Sequence, residues 1–129
     1  MIIARGALSA LKRHCRSSDE EVCGFCLGKA GTVTGIRRAR NAAPAHMRAA
    51  LFILSPEDTL WLARQRIAGS EVLAVYHSHP AIPATPSVVD VAGLRFGDIA
   101  YLIYGGERGD VRAWRRKDGT LVEEDMEVR

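Results

Sequence analysis

Hydrophobic positions along the chain separate into helical and extended patterns. In residues 4–16, Leu8, Leu11 and Cys15 fall at helical intervals, which predicts a helix that a Ser-Ser-Asp sequence then ends. Short apolar or β-branched runs predict strands over 22–28, 32–36, 51–54, 71–76, 99–104, 111–115 and 120–123.

Two further helices follow from their start signals. Ser55 is a good N-cap, Pro56 suits the first helical position and Asp58 the third, and this helix should end at Gly69. A shorter helix is expected from Ser87 to about Phe96. Because helices alternate with strands and strands then end the chain, the pattern predicts an α/β or α+β sandwich with a mixed sheet.

Length and composition indicate one soluble domain over residues 1–129. The chain is 47% hydrophobic and 26% charged, close to an average soluble protein. No apolar run approaches the ~20 residues of a membrane helix, so no membrane association is expected. The N-terminal segment mixes charged and apolar residues too early for a signal peptide, so we expect a cytoplasmic protein.

The net charge of +3 raises the question of nucleic-acid binding. Of the 18 lysine and arginine residues, only three are lysine. The arginines are scattered, with the densest group at Arg37, Arg38 and Arg40, and no nucleic-acid module is recognisable. A solvated basic surface is the favoured interpretation, and no nucleic-acid partner is expected.

The stretch His77-Ser-His79-Pro, followed by Ser87-x-x-Asp90, carries the candidate chemistry. Two histidines separated by one residue at the end of an extended strand point to the same side. Asp90 can supply a third ligand across a loop, 80–86, that holds three of the five prolines. Two histidines and one carboxylate, with an open fourth position, form the ligand set of a catalytic zinc site.

Plainer interpretations exist for each part of this motif. An isolated His-x-His pair is more often a surface or core feature than a metal site. Ser87-x-x-Asp90 is also an ordinary helix capping box. The metal-site hypothesis therefore depends on the two parts occurring together after an apolar strand.

The complete motif resembles the signature of the JAMM (Mov34/MPN) metallopeptidase family, in its short prokaryotic form. The segment Glu21-Val-Cys-Gly-Phe-Cys-Leu-Gly28 is similar to that family's first strand, which its catalytic glutamate leads. The resemblance implies a cytidine-deaminase-like mixed sheet flanked by helices. It also implies one Zn²⁺ per chain, held by His77, His79 and Asp90.

The same resemblance implies catalytic roles for two residues. Glu21 corresponds to the general acid/base that takes a proton from the water on the zinc, and Ser87 to the hydroxyl that stabilises the oxyanion. Glu20 is the neighbouring candidate, but its spacing to Gly28 fits the family pattern less well. A one-residue slip on a strand would also turn its side chain away from the site.

The implied reaction is hydrolysis of a peptide or isopeptide bond at the C-terminus of a ubiquitin-like or sulfur-carrier protein with a Gly-Gly tail. The tail should lie extended along a sheet edge. Arginines of the 37–50 loop, including Arg48, are candidates for further substrate contacts. The alternatives are a non-catalytic MPN-type scaffold and a zinc amidase for small molecules. A deaminase is not favoured, because its H-x-E and P-C-x-x-C motifs are lacking.

The remaining candidate ligands are interpreted as structural. Cys23 and Cys26 match the spacing of a redox pair, but on a strand they should face opposite sides and pack as free thiols. The odd count of three cysteines also argues against a disulfide framework. His14 and His46 have no partner at ligand spacing, so each is expected to be solvent-facing or structural.

Overall fold

The computed structural model describes residues 1–92 and 99–129. The helices are α1 (Arg5–Cys15), α2 (Pro56–Ile67) and α3 (Val88–Ala92), with a short 3₁₀ helix at Ala45–Met47. The strands are β1 (Ile2–Ile3), β2 (Cys23–Lys29), β3 (Thr32–Ala39), β4 (Val72–His79), β5 (Ala100–Gly105), β6 (Asp110–Lys117), β7 (Thr120–Glu124) and β8 (Glu127–Val128).

The eight strands form one mixed sheet in the order β7-β6-β5-β4-β2-β3-β1-β8. The pairs β1–β3, β1–β8 and β4–β5 are parallel and the others are antiparallel. The two edge strands, β7 and β8, are consecutive in the chain and only residues 125–126 separate them. The sheet therefore curls until its two edges lie near each other, and the N-terminal ammonium hydrogen-bonds both Glu124 and the Asp125 carbonyl.

Helix α1 packs on one face of the curled sheet. Its buried residues Ala7, Leu11 and Cys15 join Tyr76, Leu102 and their neighbours in the largest apolar cluster. Helix α2 covers part of the other face, where Leu62 contacts a cluster that contains Phe25 and Val75. The fold is thus a mixed sheet flanked by helices, and this confirms the predicted class.

Local sequence signals account for most element boundaries. The Ser55 hydroxyl accepts a hydrogen bond from the Asp58 amide, so the predicted cap of α2 is present. Two-residue turns at 30–31 and 118–119 join β2 to β3 and β6 to β7, and all four of their residues have positive φ. Such turns match the right-handed twist of a hairpin and favour Gly at the second position.

Several predicted boundaries were wrong. Strand β3 continues to Ala39, so Arg37 and Arg38, which were predicted to lie in a loop over 37–50, belong to this strand. Residues 51–54 form an extended segment with one isolated bridge, Asn41 to Leu54, in place of the predicted strand. The pairs at β1 and β8 were not predicted, because two-residue strands carry no periodicity. The end of the predicted helix near Phe96 lies outside the described residues.

No helix of the described chain is long and apolar enough to cross a membrane.

Candidate metal centre

His77 and His79 lie at the end of β4, an interior strand that pairs with β2 and β5. β2 pairs with β4 as far as His77, and β5 pairs with it as far as His79. Side chains two residues apart on a strand share a face, and both imidazoles are buried on that face. The hydrogen-bonded ladders on both sides fix the direction in which these rings point.

The two rings converge with the carboxylate of Asp90. The Nε2 atoms of His77 and His79 are 3.1 Å apart. His77 Nε2 lies 3.0 Å from Asp90 Oδ1, and His79 Nε2 lies 3.0 Å from Asp90 Oδ2. The Asp90 side chain is only 8% exposed. The structure therefore brings together the three residues that the sequence predicted as ligands.

Asp90 is held in place by the start of α3. The Ser87 amide donates to Asp90 Oδ2 at 2.8 Å, and the Asp90 amide donates to Ser87 Oγ at 3.1 Å. This is a reciprocal capping arrangement, so the capping interpretation of Ser87-x-x-Asp90 describes real contacts. The same contacts orient the carboxylate toward the histidines, and the two interpretations of the motif are compatible.

Outer contacts orient the two imidazoles. His79 Nδ1 lies 2.9 Å from the Pro83 carbonyl and donates to it, which directs Nε2 toward Asp90. The Phe52 ring stacks on His77 with ring centroids 4.7 Å apart. His77 Nδ1 is buried and has no hydrogen-bond partner in the part of the chain that the structure describes. His79 thus has the outer hydrogen bond that is usual for a metal-binding histidine, whereas His77 is oriented by stacking.

The protonation of the three groups reflects burial and mutual contact. Burial lowers the pKa of His77. Burial opposes the shift at His79, but hydrogen bonds to Asp90 and Pro83 raise its pKa overall. Burial also acts against ionisation of Asp90, yet the hydrogen bonds from both histidines hold its pKa well below the ordinary value. The cluster thus has an ionised carboxylate facing two ring nitrogens.

These residues fit a divalent transition metal. Imidazole nitrogens and a carboxylate are borderline ligands that suit zinc and also iron. The two Nε2 atoms lie 3.1 Å apart and each lies 3.0 Å from one oxygen of Asp90, so the three side chains are close enough to contact one ion. A bound cation would balance the Asp90 charge at this largely buried site.

Glu21 lies beside this cluster, just before β2. One carboxylate oxygen of Glu21 and a ring nitrogen each of His77 and His79 all lie within 4.8 Å of one another. Its side chain is buried, and Oε1 has no hydrogen-bond partner among the described residues. Burial, against the opposing effect of His79, raises the pKa of Glu21 to about 7. The carboxyl group can therefore take up or release a proton near neutral pH.

Glu20 and Glu21 occupy different environments. Glu20 is exposed, and its carboxylate lies 4.0 Å from the Arg48 guanidinium. Glu21 is 5% exposed and faces the histidines. Of the two candidate acids, only Glu21 adjoins the cluster.

A largely apolar groove opens beside the cluster. Its volume is about 680 Å³, and Glu21, His77 and Asp90 lie in its wall. The remaining lining comes from the extended segment 51–54, one side of α2, Tyr101 on β5 and residues of α3. Its polar lining consists of the three converging side chains together with Thr59 and Arg66 on α2.

Sequence reasoning missed several residues that build this site. Ser78 Oγ accepts from the Val22 amide at 2.9 Å and fastens the start of β2 to β4. Asn41 hydrogen-bonds the Glu21 carbonyl, and Phe52 and Pro83 contact the histidines. Only the position of Ser78 between two histidines gave a local signal. The other contacts cross long sequence separations that one sequence does not reveal.

The other cysteines and histidines that the sequence offered as candidate ligands lie outside the cluster. Cys15, Cys23 and Cys26 are buried free thiols. Cys23 pairs with His77 while Cys26 pairs with Ala74, three positions along β4, so the two face opposite sides as predicted. His14 is buried against Tyr76, and His46 is exposed.

The proposed arginine contact surface is divided among different environments. Arg37 stacks over Trp61 at 4.4 Å. Arg38 lies near enough to His14 to affect its pKa, on the α1 side of the sheet. Arg48 donates to the Ala43 carbonyl, and Arg40 lies 3.9 Å from Glu57. These side chains do not form one basic surface, because alternation on β3 sends Arg37 and Arg38 to opposite faces.

The chain is similar in sequence to one protein family and to a relative of known name. Residues 4–117 match the model of a family described as prokaryotic homologues of the JAB domain. A desampylase from Pyrococcus furiosus is 32% identical over 125 residues, which cover 96% of this chain and 86% of the relative.

Solved structures share the fold at lower identity. A protein from Desulfitobacterium hafniense has a TM-score of 0.81 at 23% identity and covers 100% of this chain and 93% of its own. A JAB1/MPN-domain protein from Archaeoglobus fulgidus has a TM-score of 0.65 at 22% identity, with 100% and 97% covered.

Proposed function

This chain belongs to the family of prokaryotic homologues of the JAB domain, and we propose that it is a zinc-dependent hydrolase that cleaves an amide bond at the C-terminus of a ubiquitin-like or sulfur-carrier protein. The observation that carries the proposal is the convergence of His77, His79 and Asp90 beside a buried Glu21 in the wall of a groove. The name of the Pyrococcus furiosus relative, a desampylase, supports a substrate of the ubiquitin-like class. We regard residues 1–129 as one metallopeptidase domain.

In this proposal His77, His79 and Asp90 hold one zinc ion per chain. Zinc at such a site lowers the pKa of a water molecule and polarises a carbonyl group. The protein's own contribution is to fix the three ligands. The β4 ladders and the Pro83 carbonyl orient the histidines, and the capping contacts with Ser87 orient Asp90.

Glu21 is the proposed general acid/base. Its Oε1 atom has no partner among the described residues, and burial raises its pKa to about 7 in the absence of a metal ion. Glu21 takes the proton from the attacking water and later delivers it to the leaving amine, so one side chain serves both transfers. Burial is the main cause of the raised pKa, and the closed environment of the site is therefore part of this role.

Ser87 is the proposed donor to the oxyanion. Its Oγ atom accepts a hydrogen bond from the Asp90 amide, which leaves its own proton available for a substrate oxygen. Loss of one well-placed donor of this kind costs roughly 3–4 kcal/mol in the transition state. Ser87 would then act both on the substrate and on the orientation of Asp90.

The groove is the proposed site of the substrate's C-terminal tail. Its lining is mostly apolar, and it runs past Glu21, His77 and Asp90. An extended tail that ends in Gly-Gly would bring its last carbonyl to this polar end, since glycine needs no space for a side chain in the closed part of the site. Segment 51–54 is extended, and among the described residues it pairs with the rest of the protein on one side only. Its other side can therefore offer backbone groups for hydrogen bonds to such a tail.

An intact-mass assay tests this function. The zinc-loaded protein would be incubated with two kinds of substrate. One is a ubiquitin-like carrier whose chain continues beyond its C-terminal Gly-Gly, and the other is a carrier whose Gly-Gly is joined to a lysine side chain. We expect loss of the added residues, and no loss with the Glu21→Gln variant or with a chelator. Glu20→Gln is the matched control, because Glu20 is exposed and adjacent, and it should keep the wild-type rate.

Two results of this assay would contradict the proposal. If the zinc-loaded protein cleaves no carrier, the proposed function is wrong. Equal rates for Glu21→Gln and wild type would exclude Glu21 as the acid/base even if cleavage occurs.

A further inference from the structure

The side chain of Asn41 uses its full hydrogen-bonding capacity on backbone groups around the site. Its Nδ2 atom donates to the Glu21 carbonyl at 2.8 Å and to the Leu51 carbonyl at 2.9 Å. Its Oδ1 atom accepts from the amides of Ala43 at 3.0 Å and Ile53 at 3.2 Å. A carboxamide has two donor hydrogens and two acceptor lone pairs, and here all four are used. The partners also fix which end of the amide is oxygen, because two are carbonyls and two are N–H groups.

These contacts join two segments that have different tasks in the proposed reaction. Glu21 precedes β2, so the regular strand ladder does not hold its backbone. Its amide donates to the Arg48 carbonyl at 2.8 Å and its carbonyl accepts from Asn41. Leu51 and Ile53 belong to the extended segment that lines the groove. One side chain therefore fastens the acid/base segment to the groove segment.

The other attachments of Glu21 do not reach residues 51–53 directly, because its amide bonds the Arg48 carbonyl, three residues before that segment. The next residue, Val22, is tied to β4, since its amide donates to Ser78 Oγ and its carbonyl accepts from the Ser78 amide. That attachment fixes the start of β2 relative to the histidines but does not reach the groove segment. Without Asn41, the Glu21 carbonyl and the 51–53 segment have no direct hydrogen bond between them among the described residues.

We infer that Asn41 is a positioning residue that holds Glu21 and the 51–53 segment as one rigid unit. The distance between the acid/base and the substrate tail then stays constant. This inference rests on the proposed function for its catalytic consequence, and its structural half can be measured without catalysis. Small displacements of a catalytic group are costly, and about 1 Å can reduce a rate on the order of 100-fold.

Asn41→Asp separates the two halves of the interaction. The aspartate keeps the acceptor for the Ala43 and Ile53 amides, but it loses both donors and places an anionic oxygen against the Glu21 and Leu51 carbonyls. We expect faster hydrogen exchange at the Glu21 amide by NMR, while the Ala43 and Ile53 amides stay protected. We also expect kcat to fall at least about 10-fold with unchanged zinc content.

Two further variants make the result specific. Tyr104→Phe removes the hydrogen bond between Arg16 and the Tyr104 hydroxyl on the α1 face, far from the groove, and it should keep wild-type kcat and wild-type exchange at Glu21. Asn41→Ser removes the carboxamide without adding charge, and it serves if the aspartate variant does not fold. A merely structural role would lower the unfolding midpoint of the Asn41 variants but leave kcat of the folded, zinc-loaded protein unchanged.

The outcomes can be told apart. Unchanged exchange at the Glu21 amide in the Asn41 variants would overturn the inference, and so would faster exchange with wild-type kcat. If the wild-type protein cleaves no carrier, the proposed function fails by itself, and the exchange measurement still decides whether Asn41 holds Glu21.

Discussion

His14 should make the folded protein sensitive to mild acid. It lies at the end of α1 with 7% of its surface exposed, and its Nδ1 atom is 2.6 Å from the Tyr76 hydroxyl. Burial, assisted by the charge of Arg38, lowers the pKa of His14 from 6.5 to about 4. Burial raises the pKa of Tyr76, so the tyrosine keeps its proton and donates it to a neutral imidazole.

The sign and size of the effect follow from these two pKa values. Between pH 6.5 and 4 the unfolded chain binds a proton at His14 that the folded protein does not bind, so stability falls as the pH falls. The contribution is fully present above pH 6.5. About 2 kcal/mol should be lost by pH 5 and about 3 kcal/mol by pH 4, at roughly 1.4 kcal/mol for each pKa unit. That is a large share of the ~5–15 kcal/mol that stabilises an ordinary domain.

Urea unfolding at a series of pH values, for wild type and His14→Asn, measures this contribution. Asparagine can place an acceptor near the position of Nδ1 but does not titrate. Both proteins have the same candidate metal centre, so any pH effect of that cluster cancels in the difference. We expect the wild type to lose about 2 kcal/mol more than the variant between pH 7.5 and pH 5. Parallel pH profiles for the two proteins would show that His14 does not cause the loss of stability in acid.

Two other predictions concern the core. Gly24 pairs with Tyr76, and a β-carbon at Gly24 would lie 2.5 Å from the tyrosine ring and from the Arg37 carbonyl. Gly24→Ala should therefore lower the free energy of unfolding in urea by at least about 2 kcal/mol. A decrease below about 0.5 kcal/mol would contradict this packing. The three cysteines are buried, and burial raises the pKa of both Cys15 and Cys23 to about 12. A thiol reagent at pH 8 should react with none of them in the folded protein and with all three in denaturant, whereas rapid reaction of the native protein would show that a thiol is accessible.

The sequence was sufficient for the parts of the fold that have local causes. The cap at Ser55 set the start of α2, and the apolar run before His77 indicated β4. The pairing of β4 with β2 and β5, and the return of the chain end to β1, depend on long-range contacts and were not predicted. Residues 51–54 looked like a strand because they are apolar, but their side chains line a groove and their backbone pairs through Asn41.

The candidate site shows the same division. His77, His79 and Asp90 were predicted as ligands from their spacing, and the structure places them within 3.1 Å of one another. The residues that orient them were not predicted. Phe52 and Pro83 reach the histidines through folding of loops whose sequences have no metal-site pattern.

We propose that His77, His79 and Asp90 hold the metal and that Glu21 lies beside it without being a ligand. The most direct test of this proposal is the zinc content of purified wild type, Asp90→Ala and Glu21→Gln, each checked for folding by circular dichroism. We expect one zinc ion per chain in wild type and in Glu21→Gln, and almost none in Asp90→Ala. Full zinc in Asp90→Ala, or loss of zinc in Glu21→Gln, would contradict it.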